Sequence, residues 1–108
     1  MFTATLAYEV DPSASADARK LLRAELVGRR WLDRFDNRPL PANCLWIRRN
    51  TEPGETVDHL KEKCERELRA AAEAVVRAGL KLRVTRAWVQ VSGAGTYGPV
   101  DLEPPANK

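Results

Sequence analysis

Phe2, Ala4, Leu6, Tyr8 and Val10 alternate with Thr3, Thr5, Ala7 and Glu9, a period of two that predicts a strand with one buried face. Asp11-Pro12 ends it, and Ser13 or Ser15 is placed to cap a helix in which Ala18, Leu22 and Leu26 recur four apart with Leu21 beside them. Arg19, Lys20 and Arg23 fall outside that stripe, and Gly28 stands where a left-handed C-cap is wanted. Trp31, Leu32 and Phe35 suggest a short second strand, followed by a turn at Asp36-Asn37 that Pro39 and Pro41 prolong. Residues 43–50 read as a third strand, with Leu45 and Ile47 on one side and Cys44, Trp46 and Arg48 on the other; Glu52-Pro53-Gly54 is a turn.

The second helix has the strongest pattern. Val57, Leu60, Cys64, Leu68, Ala71, Ala72 and Val75 form one apolar stripe, Thr56 is its expected N-cap, and Asp58 sits in the positive first turn. Glu62 with Arg66, Glu65 with Arg69 and Glu73 with Arg77 are spaced for i to i+4 ion pairs, and Leu80 can fold back past Gly79 onto Val75. In the last strand, from Lys81 to about Ser92, Leu82 and Val84 share one parity while Ala87, Val89 and Val91 share the other. A bulge near Thr85-Arg86 reconciles them, because one extra residue reverses the facing.

The order strand, helix, strand, strand, helix, strand predicts an α+β domain: a ferredoxin-like βαββαβ sandwich, with two helices on one face of a four-stranded antiparallel sheet. The domain is expected to span residues 1–92. The Gly- and Pro-rich stretch 93–108 reads as a tail, with room for a short strand over 96–100.

At 108 residues and 44% hydrophobic the chain supports one core. The net charge of +3 is uneven, since residues 19–49 hold nine basic and three acidic side chains. An excess of that size over so short a stretch is a weak nucleic-acid signal and an ordinary Arg-rich surface also produces it. Cys44 and Cys64, with His59 as the one histidine, match neither zinc spacing nor a CxxC redox motif. They read as reduced thiols of a cytoplasmic protein, and no apolar run reaches the roughly 20 residues of a membrane span. No cofactor or metal is expected.

Helices on one side leave the other sheet face open. Thr3, Thr5, Glu9, Cys44, Trp46 and Arg48 fall there, joined by Arg86 and Trp88 if the bulge lies at Thr85-Arg86. A second copy packing on Trp46, Arg48, Arg86 and Trp88 gives a homodimer. Bases stacking on the indoles, with Arg on phosphate, gives a single-strand binder instead. Alternatively, one or both indoles belong to the core. Leu45-Trp46-Ile47-Arg48-Arg49 lacks the Gly and spaced aromatics of an RNA-recognition motif. Arg29, Arg30 and Arg49 are candidate phosphate contacts, although cations after a helix C-terminus are favoured by its dipole in any case.

Catalytic patterns are sparse. His59 lies in a helix first turn beside acids, Cys64 lies on a core stripe, and Gly93-Ala94-Gly95 opens no helix as a phosphate cradle requires. Glu9 and Asp11, two apart at a strand end, are the one carboxylate pair that could share a divalent cation, but a strand-end acid followed by Asp-Pro is a routine turn, and that is the favoured reading.

Leu6-Ala7-Tyr8-Glu9-Val10-Asp11, followed by an Arg-rich helix ending in Gly, resembles the opening of the small ferredoxin-like CRISPR-associated nucleases and the related Gho-type RNA-cleaving antitoxin. Pro39-Leu40-Pro41-Ala42-Asn43, running into the third strand, is similar to the antitoxin's arrangement. The resemblance implies the fold, a habit of dimerising, and metal-dependent RNA cleavage, with Glu9 where those nucleases place the Asp proposed as metal ligand. Their Ser-Val-Phe pattern is replaced here by Cys44-Leu45-Trp46. The expected function is therefore a small non-enzymatic binding domain, homodimeric through the open sheet face; the alternative is a divalent-metal endoribonuclease or RNA-binding protein.

Overall fold

In the computed structural model, which describes residues 2–50 and 52–93, the first strand β1 covers Phe2–Val10. Its alternation is realised as expected: Phe2, Ala4, Leu6, Tyr8 and Val10 are buried, and their neighbours are not. Helix α1, Ala16–Gly28, starts at Ser15, whose hydroxyl accepts the Ala18 N–H at 3.0 Å, and it buries Ala18, Leu22 and Leu26. Its end departs from expectation. Gly28 is not the left-handed residue; Arg30 is, at φ 76°. Trp31 N–H reaches Leu26 O at 3.1 Å and Arg30 N–H reaches Val27 O at 3.0 Å, a Schellman closure set two residues beyond Gly28. The reason is Trp31, which this exit turns into the core, where only 1% of it remains exposed.

The expected second strand is reduced to a single bridge. Leu32 and Trp46 exchange backbone hydrogen bonds of 2.7 and 3.0 Å, after which the chain folds on itself as a hairpin of β2, Arg34–Phe35, and β3, Arg38–Pro39. Asp36, at φ 52°, makes the reversal between them. The main sheet accordingly has three strands rather than four, in the order β4-β1-β5, with β4 at Cys44–Arg49 and β5 at Val84–Ser92. Both neighbours run antiparallel to β1.

Helix α2, Val57–Arg77, buries Leu60, Cys64, Leu68, Ala71 and Val75. Val57, at 57% exposed, lies outside the core that its place on the stripe implied. At its start the Thr56 hydroxyl accepts the His59 N–H (3.2 Å), and His59 Nδ1 accepts the Thr56 N–H (3.5 Å). That capping box gives the chain's one histidine a structural task. At the other end Gly79 is left-handed at φ 91°, and Leu80 N–H reaches back to Val75 O. Lys61, Glu65 and Arg69, and Glu73 with Arg77, form ion pairs along the helix.

The bulge falls where the change of phase requires it. Glu9 pairs with Arg86 but Val10 pairs with Val84, which leaves Thr85 as the extra residue, its hydroxyl on Glu9 O at 3.3 Å. Ala87, Val89 and Val91 thereby share the helix side with Val84, and Arg86 and Trp88 turn to the open face. The tail and the short strand expected over 96–100 lie outside the described residues. No helix among the described residues is long and apolar enough to cross a membrane.

Candidate functional site: the open sheet face

The cross-strand register fixes which side chains share the open face. Trp46 stands opposite Thr5, and Thr5 opposite Gln90; Cys44 stands opposite Ala7, and Ala7 opposite Trp88; Arg48 stands opposite Thr3. Trp46, Arg48, Arg86 and Trp88 are thus on one side, but the two indoles are separated by β1 and by two residues along the strands. Strand spacing and rise put their Cα atoms roughly 12 Å apart.

They also differ in surroundings. The β2–β3 hairpin leans over Trp46: Phe35 lies 5.5 Å away, ring centre to ring centre, and the Trp46 indole N–H donates to Arg34 O at 2.9 Å. Half-buried, its indole serves to hold the hairpin. Trp88 is 68% exposed, the most exposed of the large hydrophobic side chains among the described residues. It borders a depression of about 450 Å³ floored by Ala7 and Cys44 and rimmed by Glu9, Asn43 and Arg86. Arg86 Nε lies 3.5 Å from Glu9 Oε1, with both groups well exposed, a geometry that contributes little stability.

Tyr8 and Arg23 support one wall of this depression. Arg23 donates to the carbonyls of Asp33, Pro41, Ala42 and Cys44, pinning the loop that delivers Asn43 and Cys44. Burial pushes the Tyr8 hydroxyl above its ordinary pKa of 10.0, partly offset by the Arg23 guanidinium beside it. In the sequence Arg23 merely stands outside a stripe. Its position one residue from Leu22 carries no signal of this role, which depends on a loop some twenty residues away.

The candidate phosphate contacts are dispersed. Arg29 pairs with Glu25 at 2.7 Å, and Arg49 pairs with Glu67 at 2.8 Å while also donating to Arg29 O. Glu67 in turn accepts the Trp31 indole N–H at 2.8 Å, so Arg49 belongs to a network that satisfies the buried indole. Arg30 is exposed at the helix exit.

Glu9 and Asp11 are not brought together. Glu9 borders the Trp88 depression, whereas Asp11 lines a separate one with Ser13, Ala14 and Lys81–Arg83. Asp11 accepts both the N–H and the hydroxyl of Ser13, at 2.9 and 2.7 Å, and these bonds hold its carboxyl below the usual range. Among the described residues no three His, Cys, Asp or Glu side chains gather as a metal-holding group. Both cysteines are free thiols, and burial pushes Cys64 up to about 11. A thiol so disfavoured as thiolate is a core side chain, not a nucleophile. No protein-family model, curated protein or solved structure matches this chain.

Proposed function

We propose that this protein is a small non-enzymatic interaction domain that forms a homodimer through the open sheet face around Trp88. Its topology on this reading is ferredoxin-like, with the second strand of the βαββαβ order shortened to the Leu32–Trp46 bridge. The observation that carries the proposal is Trp88 itself: it is 68% exposed and stands beside an apolar depression, so one surface offers both an aromatic anchor and a pocket to receive one. The two free thiols suit a reducing compartment, and we place the protein in the cytoplasm.

Light scattering tests this directly. The wild type should give twice the chain mass of 12.1 kDa, and Trp88→Ala should shift the mass toward that of one chain with its far-UV spectrum unchanged. A wild type that stays at one chain mass at high micromolar concentration would end the proposal.

A second reading is favoured by the placement of Arg86 two residues from Trp88 on the same face: single-stranded RNA stacked on the indole, with its phosphate on the guanidinium. It predicts that short RNA at low salt quenches Trp88 fluorescence and that Arg86→Ala weakens the effect. Metal-dependent cleavage through Glu9 and Asp11 has less support, since the two carboxylates border different depressions.

A further inference from the structure

Strand β5 ends the sheet on one side, and its outer edge has no partner strand among the described residues. Asp11 N–H bonds Arg83 O and Tyr8 N–H bonds Asn43 O, so odd-numbered positions of β1 point their backbone groups at β5 and even-numbered ones at β4. By the same alternation Arg86, Trp88, Gln90 and Ser92 face β1. The N–H and C=O groups of Ala87, Val89 and Val91 therefore project outward. An unpaired edge of this length, with no Pro and no acidic residue over 84–92, invites another strand.

The helix side of that edge is also unfilled. A depression of about 610 Å³, lined by Leu68, Ala72, Val76, Leu82 and Val84, lies beside one of about 310 Å³ that shares Leu68 and includes Cys64, Ala87 and Val89. Together they form an apolar trough between α2 and β5. The helix-facing side chains of β1 are buried, whereas on β5 Val84, Val89 and Val91 are half-buried and Ala87 is exposed. Helix α2 packs against β5 but leaves part of that strand's helix side uncovered.

We propose that a second copy of this chain docks here. Strand β5 pairs antiparallel with β5 of the other copy about a two-fold axis, giving one continuous sheet and filling the trough from both sides. The inference rests on the self-association reading above and moves the contact from the open face to the β5 edge that borders it. With the axis at Trp88, Ala87 of each copy exchanges hydrogen bonds with Val89 of the other, and Arg86 faces Gln90 rather than a like charge. The two Trp88 rings become cross-strand neighbours on the open face.

Charge selects a second copy as the occupant. The rim of the trough on α2 is the row Lys61, Glu65, Arg69, Glu73 and Arg77, alternating in sign at every turn. The axis at Trp88 lies beside Cys64, Glu65 and Leu68, and an antiparallel copy of the row about a point between Glu65 and Arg69 is complementary, with Lys61 of one chain facing Glu73 of the other and Glu65 facing Arg69.

The closing experiment combines charge-swapped chains with amide exchange. Glu65→Arg alone and Arg69→Glu alone should each weaken the dimer about three- to tenfold, and mixing the two variants should restore it, because each then meets its opposite. The Ala87 and Val89 amides should be protected in the dimer. Ala87→Pro, which removes an outward N–H without touching the β1 pairing, should yield a folded monomer. A dimer in which these amides exchange freely, and which none of the three variants weakens, would overturn edge pairing while leaving self-association through the face intact. A wild-type monomer would overturn both. Protection that persists in a monomer at every concentration would show that the chain's own remaining residues occupy the edge, which also overturns the inference.

Discussion

Replacing Arg23 with Met tests how the wall of the open-face depression is held. The guanidinium donates to four carbonyls, of which Cys44 O (3.2 Å) and Asp33 O (3.4 Å) are partly buried while Pro41 O and Ala42 O are exposed. The exposed pair regains water when the guanidinium is removed and contributes little. Each partly buried carbonyl loses a charge-assisted bond worth about 1.5–3 kcal/mol, and the two losses are not additive, because one guanidinium serves both. Methionine retains the apolar stem of the side chain, so packing changes little. The net cost is about 2–3 kcal/mol, or roughly 10–20 °C in Tm for a domain of this size. Urea denaturation followed by far-UV circular dichroism measures it, and hydrogen exchange localises it. The amides of residues 33–44 should open first, while those of α2 keep their rank. Arg23→Lys should fall between the two, since an ammonium reaches one or two of the carbonyls but not the fork. A loss below about 0.5 kcal/mol for Arg23→Met would mean that the loop is held by its own turns and the clamp is incidental.

Two further outcomes follow from local geometry. Arg30 holds a left-handed conformation that a side chain resists, so Arg30→Gly should stabilise the protein by about 0.5–1 kcal/mol in the same denaturation assay, and a loss of stability would show that the Arg30 side chain is needed. Cys64 has a native pKa of about 11 against an ordinary 9.0, so the unfolded thiol ionises first as pH rises. Stability should be intact below pH 9 and fall by roughly 2–3 kcal/mol as pH climbs toward 11, and Cys64→Ala should flatten most of that slope; an unchanged slope would assign the alkaline loss to Tyr8 and other groups.

What the sequence by itself determined is local and periodic. The face of β1, the stripes of both helices apart from Val57, the cap at Thr56, the Gly79 closure and a bulge near Thr85-Arg86 follow from spacing over a few residues, where a shift of one position would expose a whole apolar face, whereas the choice of Ser15 over Ser13 as the first cap does not. A bulge was legible because two valine parities in one strand cannot otherwise share a core, but the register had to place it at Thr85 before Trp88 and Arg86 were set on the open face. What only the tertiary structure decided depends on residues far apart in the chain. Trp31 enters the core because Glu67, 36 positions away, accepts its indole N–H, and that entry moves the helix exit from Gly28 to Arg30. Trp46 shares a face and a residue type with Trp88, yet a hairpin stands over one and not the other. Arg29, Arg30 and Arg49 look alike in sequence, but Glu25 and Glu67 claim two of them. The trough beside β5 has no sequence pattern, since it arises from where α2 rests on the sheet, a balance of packing summed over the whole core.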